Sequence, residues 1–458
     1  MQPLGKQHMR VNFTRSLLRT SCLATTAFIG LAAPAMANDI ILGGGSTLAE
    51  PIYTELFSLD SGVTFEYCGV GSGSGQAGLL GNAPTSFLET TLAKNDSAIC
   101  LSLTNANRPV VFGASDATLS TTQISTYNTS RLSTDGPLIQ VPTLGTPITI
   151  PVATAKVTSN SYVTLKDNDL CGIFAGQFTN WSQTSVASTV LSGPIHVVYR
   201  SDGSGTTFLL TQHLHAVCGT TKNPEGAVFA GSGAPTKTFA SLFPNGFPTG
   251  STFVGESGSG GVQTELLTNV SGTASTLVGY LSPDYTAITT TPDTANKTLF
   301  VAEVFNSTSG VANKPTTTAT SAALATANVT IPATKTAAAA QANWVPAVAN
   351  PSTGYPIVGY TTIDAVTCYA SNIPAPQTAT SPGADISAFL GDIFTNPTYG
   401  ADITAYGFVN LPSALASAAN ATFVKNTTYV ANGSTVGPWG LNINNTTVCA
   451  GKGRSASN

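Results

Sequence analysis

Three glycine-rich stretches set small hydroxyls and bare backbone amides beside one guanidinium: Gly43-Gly44-Gly45-Ser46-Thr47-Leu48, Gly69-Val70-Gly71-Ser72-Gly73-Ser74-Gly75 and Arg200-Ser201-Asp202-Gly203-Ser204-Gly205-Thr206-Thr207. Glycine lets successive N–H groups turn toward one ligand. A helix that starts just beyond such a turn adds unpaired donors and the positive end of its dipole. One such stretch alone reads as a flexible loop. Three in one chain, one of them carrying Arg200, argue for the capture of an oxyanion.

The elements that must carry these stretches alternate in type. Residues 63–67, 110–113, 138–141, 148–152, 195–199 and 355–360 read as strands. Residues 51–57 and 207–217, just after the first and third stretches, read as helices. Strand, glycine turn and helix in repetition give an α/β order. In open sheets of this kind, ligands bind beyond the carboxyl ends of the strands, so the three stretches should face one crevice. The Thr- and Ala-rich segment 314–342, broken by Pro315 and Pro332, reads as a loop with one short helix at 321–327. The tail 451–458 reads as disordered beyond Cys449.

Residues 1–37 have the plan of a secretory signal: Lys6, Arg10, Arg15 and Arg19, then an apolar run from Cys22 to Ala33, then Ala35-Met36-Ala37 for cleavage. The apolar run is too short for an anchor, and Cys22 does not sit in a lipid-attachment box. The expectation is a periplasmic or secreted protein with no membrane insertion of the mature chain. Loss of those four cations takes the net charge from −4 to −8. Charged residues make up only 9% of the chain, and the basic ones are scattered, which argues against nucleic acid and anionic lipid as partners. An anion would be held by local dipoles and a single arginine, against the overall field. Beyond the signal lie six cysteines, which allow 15 pairings. The sequential one, Cys68 with Cys100, Cys171 with Cys218 and Cys368 with Cys449, crosslinks three separate stretches without crossing and is the expectation. No Cys-x-x-Cys spacing points to zinc or another metal.

Further motifs extend along the chain: Asp39-Ile40 before the first glycines, Phe112-Gly113-Ala114-Ser115-Asp116, Leu138-Ile139-Gln140-Val141-Pro142, Leu170-Cys171-Gly172-Ile173-Phe174-Ala175-Gly176, Val197-Val198-Tyr199-Arg200, Tyr355-Pro356-Ile357-Val358-Gly359, and Val448-Cys449-Ala450-Gly451-Lys452-Gly453-Arg454. With these, the chain resembles the periplasmic phosphate-binding proteins of bacterial phosphate ABC transporters, and within them the DING family. The resemblance covers nearly all of the chain beyond the signal. It implies a type II periplasmic binding protein fold, with two α/β lobes, a hinge of two crossing strands and a central ligand cleft. The expected lobes are 38–140 with 286–458, and 141–285. It also implies phosphate contacts at Thr47, Leu48, Ser72, Asp116, Arg200, Ser204, Gly205 and Thr206, with Leu48 offering only its amide. Inorganic phosphate, and arsenate as a near isostere, would be the ligand, held by a monomer without cofactor, and an ABC-transporter permease the partner. The chain departs from the family in reading Asp-Ile-Ile-Leu before the glycines, and Cys68 and Cys100 are additional to the family's two crosslinks.

Asp116 carries the specificity in this reading. A carboxylate beside an anion repels it unless the anion brings a proton, and phosphate near neutral pH does so while sulfate does not. Two rival readings differ in class. A secreted phosphatase needs a nucleophile with its base, or clustered metal ligands. Beyond the signal the histidines are His196, His213 and His215, and no Gly-x-Ser-x-Gly elbow occurs. A surface adhesion protein would suit the Thr-, Ser- and Asn-rich composition but leaves the ordered anion stretches unexplained.

Overall fold

Ile41 and Leu42 enter the core on β1 (Asp39–Gly45), which pairs in parallel with β2 (Val63–Cys68) and β3 (Phe112–Ser115). The computed structural model describes residues 39–60, 62–87, 100, 108–154, 157, 162–268, 276–288, 299–326, 330–371 and 381–455, so the expected leader lies outside it. Helix α1 (Glu50–Ser58) follows β1, starts with Pro51 in its first turn, and buries Ile52, Tyr53, Leu56 and Phe57 on one face. Phe57 stacks on Phe65 of β2 at 4.3 Å between ring centroids and meets Phe389 of the helix Pro382–Thr395 at 4.6 Å. β4 (Leu138–Pro147) and β12 (Val358–Val366) are buried along their whole length, because helices cover both faces of this part of the sheet. With β13 (Val409–Asn410) they complete a six-stranded sheet in the order β13-β4-β12-β3-β1-β2, in which β12 runs antiparallel to both its neighbours. The abundant threonines are partly internal: the Tyr53 hydroxyl lies 2.6 Å from Thr143 Oγ1 and 2.9 Å from Thr361 Oγ1, so polar groups in the core are satisfied by one another.

A second sheet has the order β5-β9-β7-β8, from β5 (Val152–Ala153), β7 (Ile195–Arg200), β8 (Thr252–Glu256) and β9 (Thr276–Val278). β7 is parallel to β8 and β9, and a small sheet of β6 (Thr164–Leu165), β10 (Glu303–Asn306) and β11 (Val311–Asn313) lies beside it. Two connectors join the large sheets. The outgoing one, 148–151, replaces most of the strand expected at 148–152 and makes isolated bridges, Thr149 to Leu281 and Pro151 to Val301. The chain returns after β11, where the helix Thr317–Thr326 packs on β4 and β12, and it later runs beside the outgoing connector at Tyr355 and Ile357: Ile148 N–H donates to Ile357 O at 2.8 Å, and the Tyr355 hydroxyl donates to Ile148 O at 2.8 Å. β4 runs unbroken in the first sheet to Pro147, past the expected passage at 140. Residues 299–313 pair beside the second sheet, past the expected return at 286.

Two expectations change. The segment 314–342 holds two helices, Thr317–Thr326 and Lys335–Ala339, the second capped by the Thr334 hydroxyl accepting from Ala337 N–H. The tail is ordered through residue 455. Arg454 is fully buried, with Nε donating to Asp135 Oδ2 at 2.9 Å and Nη1 donating to Val110 O at 2.7 Å. A desolvated ion pair with further hydrogen bonds fixes the end of the chain that composition alone made look loose. The disulfides are Cys68–Cys100, Cys171–Cys218 and Cys368–Cys449, closing separations of 32, 47 and 81 residues. Among the described residues no helix is long and apolar enough to cross a membrane.

Candidate functional site

Every glycine stretch sits where a strand ends or a helix begins. β1 ends at Gly45 and leads into Ser46 and Thr47; β3 ends at Ser115, just before Asp116; β7 ends on Arg200 itself. Helix α2 opens at Ser72 (Ser72–Gly81) and α3 at Gly205 (Gly205–Val217), where the Ser204 hydroxyl accepts from Thr207 N–H at 3.1 Å as its cap. Gly71, which leads into α2, has φ +83°, and a Cβ there would collide with Asp202.

The eight expected residues come together from both sheets. Thr47, Leu48, Ser72, Asp116, Arg200, Ser204 and Thr206 are all buried, and Gly205 is enclosed with them. Ser72 Oγ accepts from Gly205 N–H at 3.1 Å and from Asp116 N–H at 3.3 Å, joining the α2 side to the α3 side. Gly73 N–H donates to Gly203 O at 2.7 Å beside it. Thr47 Oγ1 accepts from Ser259 N–H at 3.0 Å, and its hydroxyl lies 3.1 Å from that of Ser259. Arg200 Nη1 donates to Thr206 Oγ1 and to Ser259 Oγ, both at 3.3 Å. The Leu48 amide is directed at Ser46 Oγ, 3.2 Å away.

The charges follow from burial and pairing. Arg200 grips Asp202 through two parallel contacts, Nε to Oδ1 at 2.6 Å and Nη2 to Oδ2. Burial works against the Arg200 charge, but the Asp202 carboxylate outweighs it and holds the guanidinium firmly protonated. Burial likewise pushes Asp202 up, and Arg200 with the Gly258 amide brings it below the usual carboxylate range. Asp116 behaves differently. Full burial pushes its pKa up to about 7, against the lowering effects of the Ser46 hydroxyl, the Arg200 charge and the Ser72 hydroxyl. Ser46 Oγ lies 2.9 Å and 2.7 Å from the two carboxylate oxygens. The arrangement is a dry, donor-rich enclosure with one shielded cation and one carboxyl able to hold or give up a proton near neutral pH.

Sequence reading missed two participants. Ser46 lies in the first stretch without any sign of its role, yet its hydroxyl holds Asp116. Ser259 is the second residue of α4 (Gly258–Thr268), just after β8, in the run Ser257-Gly258-Ser259-Gly260-Gly261. That is the same strand, glycine–serine and helix pattern as the other stretches, and it could have been found by that rule. The histidines stand elsewhere: His213 Nε2 lies 3.3 Å from Asp167 Oδ1, and His215 Nδ1 lies 2.7 Å from Phe229 O. Among the described residues no group of three or more His, Cys, Asp or Glu side chains is placed to hold a metal ion.

Two α/β lobes with donors converging between them define a binding protein of the periplasmic type, and residues 32–378 match the family model described as the PBP superfamily domain. The chain is 34% identical over 462 residues to the protein named alkaline phosphatase L of Pseudomonas aeruginosa strain UCBPP-PA14, covering 96% of this chain and 99% of that one. It is 34% identical over 428 residues to a phosphate-binding protein of an unknown prokaryotic organism, covering 90% and 99%. Among solved structures it is similar to the high-affinity periplasmic phosphate-binding protein PfluDING bound with phosphate, with TM-score 0.67, 32% identity, and coverage of 91% and 99%. The chain belongs to the PBP superfamily and, within it, to the DING proteins.

Proposed function

We propose that this protein captures inorganic phosphate, and arsenate as its near isostere, between two lobes that close on the dehydrated anion. The single observation behind this reading is that Arg200 and Asp116, from different sheets, share one buried hydrogen-bonded network through Thr206, Gly205 and Ser72. Thr47, Ser72, Ser204 and Thr206 supply hydroxyls, Leu48, Gly205 and Thr206 supply amides, and Arg200 supplies the fixed charge. Asp116 accepts the proton that phosphate carries. Strand pairing supports lobes of about 38–147 with 314–458, and 148–313, somewhat later along the chain than the sequence motifs suggest. Export through the leader at 1–37 would place the protein in the periplasm or outside the cell, with an ABC-transporter permease as the acceptor of its cargo. Titration calorimetry with phosphate, arsenate and sulfate at two pH values tests the reading. Phosphate and arsenate should bind tightly and sulfate should not; equal binding of all three, or of none, overturns it.

Gly205 sets how closely the lobes approach. A Cβ there would sit 2.5 Å from both Asp116 Oδ2 and Ser72 Oγ. Gly205→Ala is expected to bind phosphate at least tenfold more weakly, because the added methyl would hold the α2 and α3 sides apart. A binding isotherm checks this, with a melting curve on the same preparation as the control for folding.

A second reading, phosphomonoester hydrolysis, is favoured by the name of the alkaline phosphatase L relative. Turnover of p-nitrophenyl phosphate by purified protein, abolished by Arg200→Ala, would establish it; turnover that survives that substitution would trace to a contaminant.

A further inference from the structure

We infer that Lys237 is a latch between the lobes, holding the phosphate site closed by bonding to Gln76 across the cleft while anchoring the Ser204 loop behind it. The inference rests on the phosphate-binding reading and adds a positioning residue to it. Lys237 rides on the Arg200 side: its neighbour Thr236 exchanges hydrogen bonds with Thr211 of α3, N–H to Oγ1 at 3.0 Å and Oγ1 to O at 3.2 Å. Its carbonyl accepts from Ser204 N–H at 2.9 Å, fixing the residue that caps α3. Its ammonium reaches across to Gln76 Oε1.

Gln76 is well chosen to receive it. It lies on α2 four residues after Ser72, so both stand on one helix face. Its Nε2 lies 3.0 Å from Ser115 Oγ and 3.0 Å from Ala117 O, which take its two N–H groups, with Asp364 Oδ2 also within 3.3 Å. These acceptors fix the orientation of the amide and turn Oε1 toward the cleft, where Gln123 Nε2 also donates to it at 3.1 Å. Ser115 and Ala117 flank Asp116. One lysine therefore touches the cap of the α3 segment with its backbone and, through one amide, the bracket around Asp116. The ammonium is partly desolvated, which lowers its pKa, and the charge that counters this is Asp364, on the far side of Gln76. Because Lys237 ends on a neutral amide, breaking the contact strands no partner carboxylate in the cleft, which suits a bond that must open to release cargo.

The test uses Lys237→Met, which keeps the stem and removes the donor, and Lys237→Arg, which restores one. Two quantities are read: phosphate association and release by stopped flow, and amide exchange without ligand at 71–78 and 203–208, with β4 and β12 as folding controls. Expected for Lys237→Met are release at least tenfold faster, association within threefold, and faster exchange confined to the two cleft segments, largely reversed in Lys237→Arg. Unchanged exchange overturns the latch. Faster release with unchanged exchange overturns it as well, since Lys237 would then be gripping the anion and not the lobe. Should the wild type fail to bind phosphate, the functional reading falls, and the latch is still decided by the exchange of the unliganded proteins.

Discussion

Arg200→Ala is expected to weaken phosphate binding by at least thirtyfold, near the low end of the roughly 2–5 kcal/mol that truncating a buried charged hydrogen-bond partner costs. Arg200 is 2% exposed, and its guanidinium is the fixed positive charge of the enclosure, with Nη1 turned toward Thr206 and Ser259 while Nε and Nη2 are held by Asp202. Asp202 thus aims the fork as well as shielding it. Arg200→Lys keeps a charge but cannot hold Asp202 with one edge and an anion with the other, so it should fall between wild type and alanine. Isothermal titration measures the loss, and circular dichroism confirms the fold, because removing the arginine strands Asp202 in a buried place. An affinity within threefold of wild type in a folded Arg200→Ala protein would remove Arg200 from the site.

Asp116→Asn should change selectivity more than affinity. In the wild type an ionised Asp116 meets sulfate as an unrelieved like charge in a dry site; asparagine offers an amide donor instead. At pH 8 the sulfate-to-phosphate ratio of dissociation constants should fall by about tenfold or more, the factor set by the cost of protonating a carboxyl whose pKa is about 7. The pH dependence gives an independent sign. With the Asp116 pKa raised to about 7, the carboxyl is protonated below that pH and becomes a donor. Sulfate carries no proton in this range, so its affinity for the wild type should rise by about an order of magnitude from pH 8 to pH 6 as the protonated fraction grows. The asparagine variant should show no such rise. Competition titrations at pH 8, 7 and 6 separate the cases, and a flat sulfate profile in the wild type would mean that Asp116 does not face the anion.

The same upward shift has a cost for the unliganded fold. Asp116, Asp284 and Asp364 are all buried carboxyls whose pKa values burial raises to about 7. A carboxyl raised above its unfolded value contributes stability that is complete below that unfolded value and is lost as pH rises through the folded one. In this protein that loss falls between about pH 4 and pH 7, where a ligand-accepting carboxylate has to become charged.

Much of the site could be read from sequence because the chemistry is local. Strand end, glycine turn and helix start are contiguous in the chain, so Gly43 to Leu48, Gly69 to Gly75 and Arg200 to Thr207 each announce their own geometry. Asp116 was placed by resemblance and then by the logic of repulsion. What sequence could not give was partnership across the molecule: Ser46 with Asp116 is a contact over 70 residues, and Thr47 with Ser259 one over 212. Lys237 belongs to this class, since nothing near it in the chain hints at Gln76, 161 residues away. The tail misled for a related reason. Gly451 to Ser455 has the composition of a loose end, yet Arg454 finds Asp135 only once the first sheet has formed. Strand ends moved for a different one: the connector at 148–151 is apolar enough to read as a strand, but its partners are single bridges on each side rather than a ladder.

The three disulfides sort by sheet. Cys68–Cys100 and Cys368–Cys449 lie beside the first, Cys171–Cys218 beside the second, and none spans the two connectors. Each bond therefore stiffens one half, and none restrains the swing of one half against the other that the proposed capture requires. Loading and unloading of the proposed site would then need no thiol chemistry.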